Sequence, residues 1–437
     1  MSKPDLGPPV WRNEAFMRLW IAQALTQTAQ NAIWYALLVI VEEATHSTTQ
    51  LGITILSVIV PSVLFGVPAG AYVDRWDKRG VLVITNALRA VVVLGYIVFA
   101  HSLALLYAVS FIFSVISQFF APAETAMIPT IVNRQRLMQA NSFFHLTFTA
   151  SQLVGLVFVG PVIVKVTGAT TFFVAMAALY AVSALLVLNL PRQPRSELKV
   201  HRVHPALELL SQLREVVNLL LADRSMLLSM AYLTLAGTLT LIVAMLAPRY
   251  AVDTLGIAAA DAVFIMAPAG IGMLAAAFLL SRATGGWLTD RPRLVTLGLF
   301  AIAAALGVVA ALPVFGRLVG LLGPEGSEIP SVGPGHALLF GGVMVATLVA
   351  GLGFAAVMVA SQTLLQEHAP VHARGRVFAV QLMLGNLFSI IPLLTVGGLA
   401  DVIGVNRVMI MLAFGVLIVA LFSQRQRRAL APLPAQV

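Results

Sequence analysis

Apolar runs long enough to cross a lipid bilayer recur along almost the whole sequence. A helix needs roughly 20 mostly apolar residues to span the hydrocarbon layer. With 59% hydrophobic and 10% charged residues, the chain has more apolar surface than one water-soluble core can bury. The twelve predicted spans are 15–41, 50–73, 80–100, 103–127, 139–164, 169–190, 226–248, 260–281, 294–314, 336–360, 377–399 and 406–423. We therefore predict an all-α integral membrane protein.

The distribution of Lys and Arg predicts which helix ends face the cytoplasm. Cytoplasmic loops of membrane proteins carry an excess of these residues. Twelve spans place both termini on one side, and the better orientation leaves only four of the 27 Lys and Arg residues outside. These four are Lys165, Arg249, Arg317 and Arg407. The first fourteen residues lack the apolar core of a signal peptide, so we expect a multi-pass cell-membrane protein with both termini in the cytoplasm.

A polar stretch divides the spans into two groups of six. The predicted parts are a bundle at 1–190, a linker at 191–224, a second bundle at 225–423 and a cytoplasmic tail at 424–437. In the linker, Leu209, Leu213, Val216 and Leu220 recur at helical spacing. This spacing predicts an amphipathic helix on the inner membrane surface, with a regulatory domain as the alternative. The outer segment 319–335 is either a passive loop or a lid.

A short motif recurs at the equivalent place in each half. Residues 70–75, GAYVDR, end the second span, and residues 286–291, GWLTDR, follow the eighth span 216 residues later. Such internal repeats are typical of transporters whose two related bundles enclose a site near the bilayer midplane. A chance GxxxDR in a basic loop accounts for one copy, but not for two copies in register with the spans.

The first copy continues as WDKR at 76–79, and the whole loop resembles GxLxDRxGRR/K, the signature of the major facilitator superfamily. Tyr72 stands at the leucine position and Asp77 at the second glycine. Residues 120–124, FAPAE, and 397–401, GGLAD, are similar to the macrolide-efflux and enterobactin-exporter branch, which exchanges drugs for protons. The resemblance implies two pseudo-symmetric six-helix bundles that transport by alternating access.

The signature loop forms part of the inner gate in this superfamily, and the resemblance implies the same role here. The residues to which it transfers, from both copies, are Gly70, Asp74, Arg75, Lys78, Arg79, Gly286, Asp290 and Arg291. Glycine permits close approach of helices, while Asp and Arg pair with helix termini or with opposite charges. We expect these contacts to hold one conformation shut.

Polar residues within the spans predict the substrate cavity. Inside the bilayer a polar group has to find a partner or line water. The predicted cavity residues come from the first, fourth, fifth and eleventh spans and are Gln27, Asn31, Trp34, Gln118, His145, Gln152, Gln381 and Asn386. For each of them the alternative is hydrogen bonding between helices, which stabilises membrane bundles.

Charged residues are rare inside the spans. No carboxylate occupies the middle of a predicted span, and Glu124, near the inner end of the fourth, is the most embedded. Embedded ionisable groups mark proton pathways, so Glu124 and Arg89 are the predicted proton-coupling residues. The alternative is a structural salt bridge between Glu124 and Arg89 or an inner-loop arginine. So little negative charge in the spans favours neutral or amphiphilic substrates.

Other classes of protein lack their signature residues in this sequence. No GxxxxGK[ST], HExxH or GxSxG segment and no cysteine occurs, so we expect no enzyme, ATP-driven pump, metal site or cofactor. The net charge of +9 is scattered over helix ends, which argues against nucleic-acid binding. The prediction is a monomeric, proton-coupled exporter of an amphiphilic drug, macrolide or siderophore-like molecule. The alternatives are an importer or lipid flippase of this fold, or a transport-dead sensor or assembly subunit.

Overall fold

The computed structural model describes residues 10–73, 75–99, 101–192, 205–282, 290–318, 334–370 and 374–430. Throughout these residues the ordered elements are helices, and no β-strand occurs among them. Helices suit the bilayer because each backbone N–H and C=O finds its partner within the same segment. The predicted fold class, an all-α membrane protein, is confirmed.

The described residues form thirteen α-helices. In chain order they are α1 (Glu14–Thr45), α2 (Thr48–Val73), α3 (Lys78–Val98), α4 (Leu103–Ile131), α5 (Leu137–Leu153), α6 (Gly160–Leu188), α7 (Pro205–Ala222), α8 (Arg224–Leu255), α9 (Val263–Ser281), α10 (Arg291–Leu318), α11 (Pro334–His368), α12 (Arg374–Ile403) and α13 (Val405–Leu430). Within the described ranges, eleven segments are long and apolar enough to cross a membrane, which leaves out α5 and the linker helix α7.

The fifth and sixth predicted spans are continuous in the structure. α5 is followed by a π-helix, Val154–Val159, and then by α6. Gly168 interrupts α6 with φ 78° and ψ 165°, a conformation that glycine adopts without a Cβ clash. α5, the π-helix and the start of α6 therefore cover the fifth predicted span, and the rest of α6 covers the sixth. This junction explains why eleven long segments stand for twelve predicted spans.

The π-helix lies directly against α1. A Cβ atom on Gly155 would lie 2.5 Å from the carbonyl oxygen of Thr28 and 2.8 Å from the Cβ of Asn31. Contacts this short leave room only for glycine, the residue that lets membrane helices approach most closely. π-Helical turns are frequent at functional sites, and this one contacts a residue that the sequence places in the substrate cavity.

Contacts divide the chain into two compact units. The first unit comprises Met1–Val41 and Ile53–Leu210, and the second comprises Glu42–Gly52 and Ser211–Val437. The predicted division had placed the whole of 191–224 in a separate linker. In the structure, the second half of α7 and the segment 42–52 have their contacts within the second unit.

In the first unit, α3 packs against both α4 and α6. An apolar cluster joins α1, α3 and α4 and includes Phe16, Leu82, Phe120 and Met127. Phe16 also makes an edge-to-face contact with Phe144 of α5, at 5.7 Å between ring centroids. This packing fixes the rotation of α3 and α4, the two helices that carry the embedded charges.

In the second unit, α10 packs against α11 and α13, and α11 also packs against α8 and α9. Gly298 of α10 and Gly353 of α11 face each other, and a Cβ on either would lie 2.6 or 2.7 Å from the carbonyl oxygen of the other. Lipid provides no hydrophobic driving force for helix association, so the close packing that small residues allow at such crossings stabilises the bundle instead.

The linker helix α7 packs on the second unit through its second half. Val216 and Leu220 are buried in a cluster with Met226 and Leu365, and Glu215 forms an ion pair with Arg376 of α12. The predicted apolar positions Leu209 and Leu213 have side chains outside the described residues. The described part of α7 is thus a helix packed against protein, in addition to any contact that it makes with lipid.

Candidate functional site

The polar side chains of α1 differ in burial. Gln27, Asn31 and Trp34 are partly exposed, whereas Gln23 is buried. The amide of Gln23 donates to the carbonyl of Phe144 on α5 at 3.5 Å, so it serves helix packing. The amide of Asn31 donates within α1, to the carbonyl of Gln27 at 2.8 Å. Gln27, Asn31 and Trp34 therefore retain surface with which to contact a substrate.

Trp34 and Gln118 both lie beside α2. Trp34 lines a small apolar pocket with Thr54 and Val58 of that helix. The Oε1 atom of Gln118 lies 3.7 Å from the place where a Cβ of Gly66 would be. An indole next to an apolar pocket and a carboxamide along the same helix provide the mixture of apolar and polar contacts that suits an amphiphilic molecule.

The serines that share α4 with Gln118 serve packing instead. Ser114 donates through its hydroxyl to the carbonyl of Val58 on α2 at 2.7 Å. Ser110 accepts a hydrogen bond from the hydroxyl of Tyr96 on α3 at 3.1 Å. Both serines are buried, so they hold α4 against its neighbours.

The predicted cavity residues of α5 are described in part. Gln152 is exposed, and so is Asn141 three turns earlier. His145 lies in α5, but its side chain is outside the described residues. Gln152 is thus available to a substrate, and the role of His145 stays a prediction.

α12 supplies the polar residues of the second unit. Gln381 and Asn386 are partly exposed. The position of a Cβ on Gly385 lies 3.8 Å from Nε2 of Gln381 and 4.0 Å from the hydroxyl of Thr234 on α8. Ser389, one turn on, is buried and shares a 2.6 Å hydrogen bond with the hydroxyl of Thr238. Along α12 the two amide side chains thus keep exposed surface, while the serine packs against α8.

Two charged side chains of the first unit are almost completely buried. Arg89 of α3 is 2% exposed and Glu124 of α4 is 5% exposed. The Nη2 atom of Arg89 donates to the carbonyl of Ser117 at 3.3 Å, and its guanidinium carbon lies 4.4 Å from the ring centroid of Phe120. An aromatic face attracts a desolvated cation, so α4 holds the guanidinium in place by two kinds of contact.

Several polar atoms around these charges have no hydrogen-bond partner. They are Nε of Arg89, Oε1 of Glu124 and both amide atoms of Asn86. Asn86 lies one turn before Arg89 on α3 and is fully buried. Glu124 feels the charge of Arg89, although the carboxylate oxygen Oε1 makes no bond. We call Asn86, Arg89 and Glu124 the buried polar cluster. The sequence prediction missed Asn86, although its spacing of three residues from Arg89 was a usable signal.

Burying polar atoms without hydrogen-bond partners lowers the stability of the protein, and this cost favours a functional role for the buried polar cluster. An unpartnered buried polar group destabilises a protein by about 1–3 kcal/mol. Ionisable residues inside a membrane segment usually line an ion or proton pathway. The predicted proton-coupling pair, Glu124 and Arg89, is thus buried in one unit on adjacent helices.

The first copy of the loop motif forms the start of α3. Asp77 caps this helix, because its Oδ2 accepts from the backbone N–H of Gly80 at 3.2 Å. Arg75 is exposed, and Lys78 and Arg79 are partly exposed at the same end. The residue that departs from the glycine of the signature therefore has a structural role of its own.

Two predicted gating residues, Asp74 of the first copy and Gly286 of the second, lie outside the described residues. Their gating roles therefore stay predictions. Gly70 has no described atom within 4 Å of the place where its Cβ would be. The close helix approach that the sequence suggested at this glycine is therefore not found among the described residues.

The second copy of the motif connects three helices of its unit. Asp290 precedes α10, caps it, and lies 3.8 Å from Nη1 of Arg427 on α13. Arg291 forms a 2.9 Å ion pair with Glu367 of α11. Both charges of the motif are thus paired with residues of other helices, and their gating role stays a prediction.

Comparison with known proteins identifies the family. The family model of the Major Facilitator Superfamily matches residues 19–392. The chain belongs to this superfamily. The resemblance predicted from the loop signature and its repeat is therefore confirmed.

Individual relatives of this superfamily member are transporters. It is 24% identical over 404 residues to the uncharacterized MFS-type transporter YfiS of Bacillus subtilis (strain 168), with 91% of this chain and 90% of the relative covered. It is 26% identical over 318 residues to the enterobactin exporter EntS of Citrobacter koseri, with 71% of each chain covered. The solved structure of the nucleoside transporter NupG is similar in fold, with a TM-score of 0.67, 16% identity, and 94% and 98% of the two chains covered. The protein is accordingly a membrane transporter and not an enzyme.

Proposed function

We propose that this superfamily member exports amphiphilic small molecules in exchange for protons. The supporting observation is its similarity to EntS, which extends over 71% of both chains. Because the two proteins are only 26% identical, our proposal takes from EntS the class of substrate and the direction of transport. It does not take enterobactin as the substrate of this protein. The substrate class then includes drugs, macrolides and siderophore-like molecules.

The partly exposed residues of the two units support an amphiphilic substrate. Trp34 offers an aromatic surface beside an apolar pocket, while Gln118 and Gln381 offer carboxamides. Binding sites for small molecules combine many apolar contacts with a few polar groups that fix orientation. The side chains proposed for the lining are neutral, and neutral side chains suit a molecule with little net charge.

We assign proton coupling to Glu124. A deprotonated carboxylate attracts the guanidinium of Arg89, whereas a protonated one leaves Arg89 to the carbonyl of Ser117 and the ring of Phe120. The buried polar cluster therefore has two charge states with different internal contacts. A ligand or proton moves a conformational equilibrium only through such a difference between states.

The charged loops provide the proposed inner gate. In this role Arg75, Lys78 and Arg79 act in the first copy of the motif, and Asp290 and Arg291 act in the second. The proposal places both termini in the cytoplasm and treats the transporter as a monomer. Release and re-formation of ion pairs such as Arg291–Glu367 would accompany each cycle.

The test uses purified protein in liposomes that enclose a pH-sensitive dye. Enterobactin and a macrolide antibiotic serve as probes under an imposed pH gradient. We expect a probe to accelerate collapse of the gradient and to move against its own gradient. A protonophore, which removes the gradient, should abolish the probe's uphill movement, and empty liposomes provide the background.

The other outcomes contradict the proposal in different ways. Movement of a probe without movement of protons would indicate an importer or a lipid flippase of the same fold. Saturable binding without flux would indicate a sensor or an assembly subunit, for which the small number of embedded carboxylates is the motivating observation.

A further inference from the structure

Glu42 is a second buried carboxylate, and the transport proposal does not use it. It lies in the last turn of α1, its side chain is fully buried, and it belongs to the second compact unit. Its Oε1 atom accepts from Nη1 of Arg249 on α8 at 3.3 Å. Its Oε2 atom is buried and has no hydrogen-bond partner among the described residues. This carboxylate is therefore only half satisfied by its surroundings.

Arg249 does not neutralise Glu42 alone, because two carboxylates share it. Its Nε atom donates to Oδ2 of Asp253, one turn further along α8, at 2.6 Å. The charged or titratable groups that act on Glu42 are Arg249, Asp253 and His46, so the two carboxylates and the guanidinium leave one negative charge in excess. A buried charge without full compensation is costly and is neutralised instead. Since Glu42 is fully buried and Asp253 is 38% exposed, a proton is best placed on Glu42.

His46 connects this carboxylate to the solution. Its side chain is 65% exposed, and its Nδ1 atom lies 3.9 Å from Oε1 of Glu42. Within the part of the chain that the structure describes, His46 is the one residue other than glycine with a positive φ, of 47°. Such conformations persist where surrounding contacts hold them, and they cluster at functional sites. Here Arg249 donates to the carbonyl of His46, a contact that keeps the imidazole beside Glu42.

Asp401, at the end of α12, shows the opposite situation in the same unit. One of its oxygens accepts from the backbone N–H of Thr48 at 2.6 Å, and the other accepts from the N–H of Thr49 at 2.9 Å. The second oxygen also accepts from the hydroxyls of Ser47, at 2.8 Å, and Thr49. Asp401 therefore caps α2 as an ionised carboxylate with both oxygens satisfied, which leaves Glu42 as the carboxylate with room for a proton.

We propose that Glu42 and His46 form a proton-binding site, in which the buried carboxylate holds the proton and the exposed imidazole exchanges it with the solution. A proton from water binds the imidazole. Its N–H bond then breaks while an O–H bond forms on Glu42, and the imidazole returns to its neutral form. Glu42 becomes a neutral acid, and Arg249 keeps Asp253 as its counter-charge.

The site lies at the end of α1 that the distribution of Lys and Arg predicts to be extracytoplasmic. Its use in transport would be the capture of coupling protons at that face. This use rests on the proposed proton coupling, whereas proton binding by Glu42 is a property of the second unit that is measured without transport.

Infrared spectroscopy of the purified protein tests proton binding. It detects the carbonyl stretch of each protonated carboxyl group as the pH is lowered, and subtraction of the Glu42→Gln spectrum from that of the wild type isolates the band of Glu42. Glu43→Gln isolates the band of the exposed neighbour in the same way. We expect the Glu42 band to persist to higher pH than the Glu43 band, because Glu42 is buried and shares its counter-charge.

Asp253→Asn tests the shared counter-charge. It removes the competing carboxylate and leaves Arg249 to Glu42. At a fixed pH, the ratio of protonated to ionised Glu42 should fall by about tenfold, which is the order of effect of one nearby charge on a carboxyl group. Asp261→Asn, in the short helical turn after α8, is the control and should leave the ratio unchanged.

A light-triggered pH jump tests the role of the imidazole. His46→Gly removes the ring, and glycine adopts a φ of 47° readily, so the contact between the carbonyl and Arg249 is kept. The Glu42 band should still form, but about a hundredfold more slowly, a usual contribution of one positioned proton-transfer group. His101→Gly, at another exposed histidine, should leave the rate unchanged.

Three results would overturn the proposal. A Glu42 band that appears and disappears together with the Glu43 band would remove the site. A rate that His46→Gly does not change would remove the imidazole from it. If Glu42→Gln does not fold, as judged by size-exclusion chromatography, Asp253→Asn and His46→Gly carry the test, because both alter exposed side chains. Carboxyl bands insensitive to both variants would then exclude the site.

These measurements use neither substrate nor a proton gradient. A protein that fails to exchange probes for protons in liposomes would lose the export proposal and keep a proton-binding Glu42. Conversely, a protein that exchanges probes for protons but shows no separate Glu42 band would keep the proposed function and lose this site.

Discussion

The interior around α3 and α4 differs in chemistry from the interior of α8–α13, although the sequence motif repeats. The first unit buries the charged residues Arg89 and Glu124 in α3 and α4. Among the described residues of α8–α13, the buried polar side chains are all hydroxyls. Two pairs of these hydroxyls bond to each other, Thr238 with Ser389 at 2.6 Å and Thr296 with Ser423 at 2.8 Å.

This difference distinguishes polar side chains that pack helices together from those that we propose to couple transport to protons. A hydroxyl can bond a backbone carbonyl or another hydroxyl, so it joins helices at little cost. A buried charge needs a partner of opposite sign and stays expensive even then. The comparison indicates that the buried polar contacts within α8–α13 are neutral, whereas the buried charges to which we assign the proposed proton coupling lie in α3 and α4.

The largest expected effect comes from Glu124→Gln. Glutamine keeps the shape of the side chain but cannot exchange a proton. We expect substrate-driven proton movement in liposomes to fall to the level of empty liposomes. Glu14→Gln, on the exposed start of α1, is the matched control and should behave as wild type. Normal proton movement by Glu124→Gln would place the carrier elsewhere and remove the proposed difference between the units.

Arg89→Leu should have the largest effect on stability. It leaves Glu124 as a buried charge without its counter-charge, which lowers the free energy of unfolding by about 3–5 kcal/mol. The double variant Arg89→Leu with Glu124→Leu should recover most of this loss, because an apolar pair replaces the ionic one. The free energy of unfolding in detergent is measured for the wild type, the two single variants and the double variant, which together form a double-mutant cycle. Arg18→Leu, at a largely solvent-facing side chain, is the control. Equal loss in the double variant would show that the two charges do not interact.

Asn86→Leu should stabilise the protein while it impairs coupling. Leucine has a similar volume and removes an amide whose two polar atoms lack partners, so the free energy of unfolding should rise by about 1–2 kcal/mol. Asn189→Leu, at the exposed end of α6, should change little. A decrease in stability for Asn86→Leu would mean that a bridging water satisfies the amide.

Thr238→Val should have the smallest effect. It removes the hydroxyl bonded to Ser389, and such bonds average about 0.6 kcal/mol in membrane proteins. The midpoint of thermal unfolding should fall slightly, while transport rates stay unchanged. Thr240→Val is the control, because its hydroxyl bonds to a carbonyl of its own helix at 2.9 Å. A marked loss of transport in Thr238→Val would show that the second unit shares the coupling.

Sequence patterns predicted most of the fold because the ability of a segment to cross the bilayer depends on its own length and apolar character. Length and apolar character located all the long helices, and the repeat at 70–75 and 286–291 identified the superfamily. The continuity of the fifth and sixth spans was not foreseen. It depends on a π-helical turn and on the backbone of Gly168, and neither feature changes the hydropathy of the segment.

The site was predicted less completely because helical spacing does not reveal the partner of a side chain. Gln23 and Gln27 share one face of α1, yet the first bonds α5 and the second keeps exposed surface. Glu124 and Arg89 were found from the scarcity of embedded charge, but Asn86 was not. The GGLAD segment was noted as a resemblance, whereas the capping of α2 by Asp401 could not be read from either segment alone.

The sequence by itself determined the membrane class, the superfamily and the rarity of embedded charge. The tertiary structure decided which polar groups are satisfied, at which glycines crossing helices approach closely, and which helix end each carboxylate caps. The physical reason is that the bilayer acts on every segment independently through its apolar length, whereas a hydrogen bond depends on the rotation and depth of two helices at once. Packing across the whole unit sets that rotation and depth.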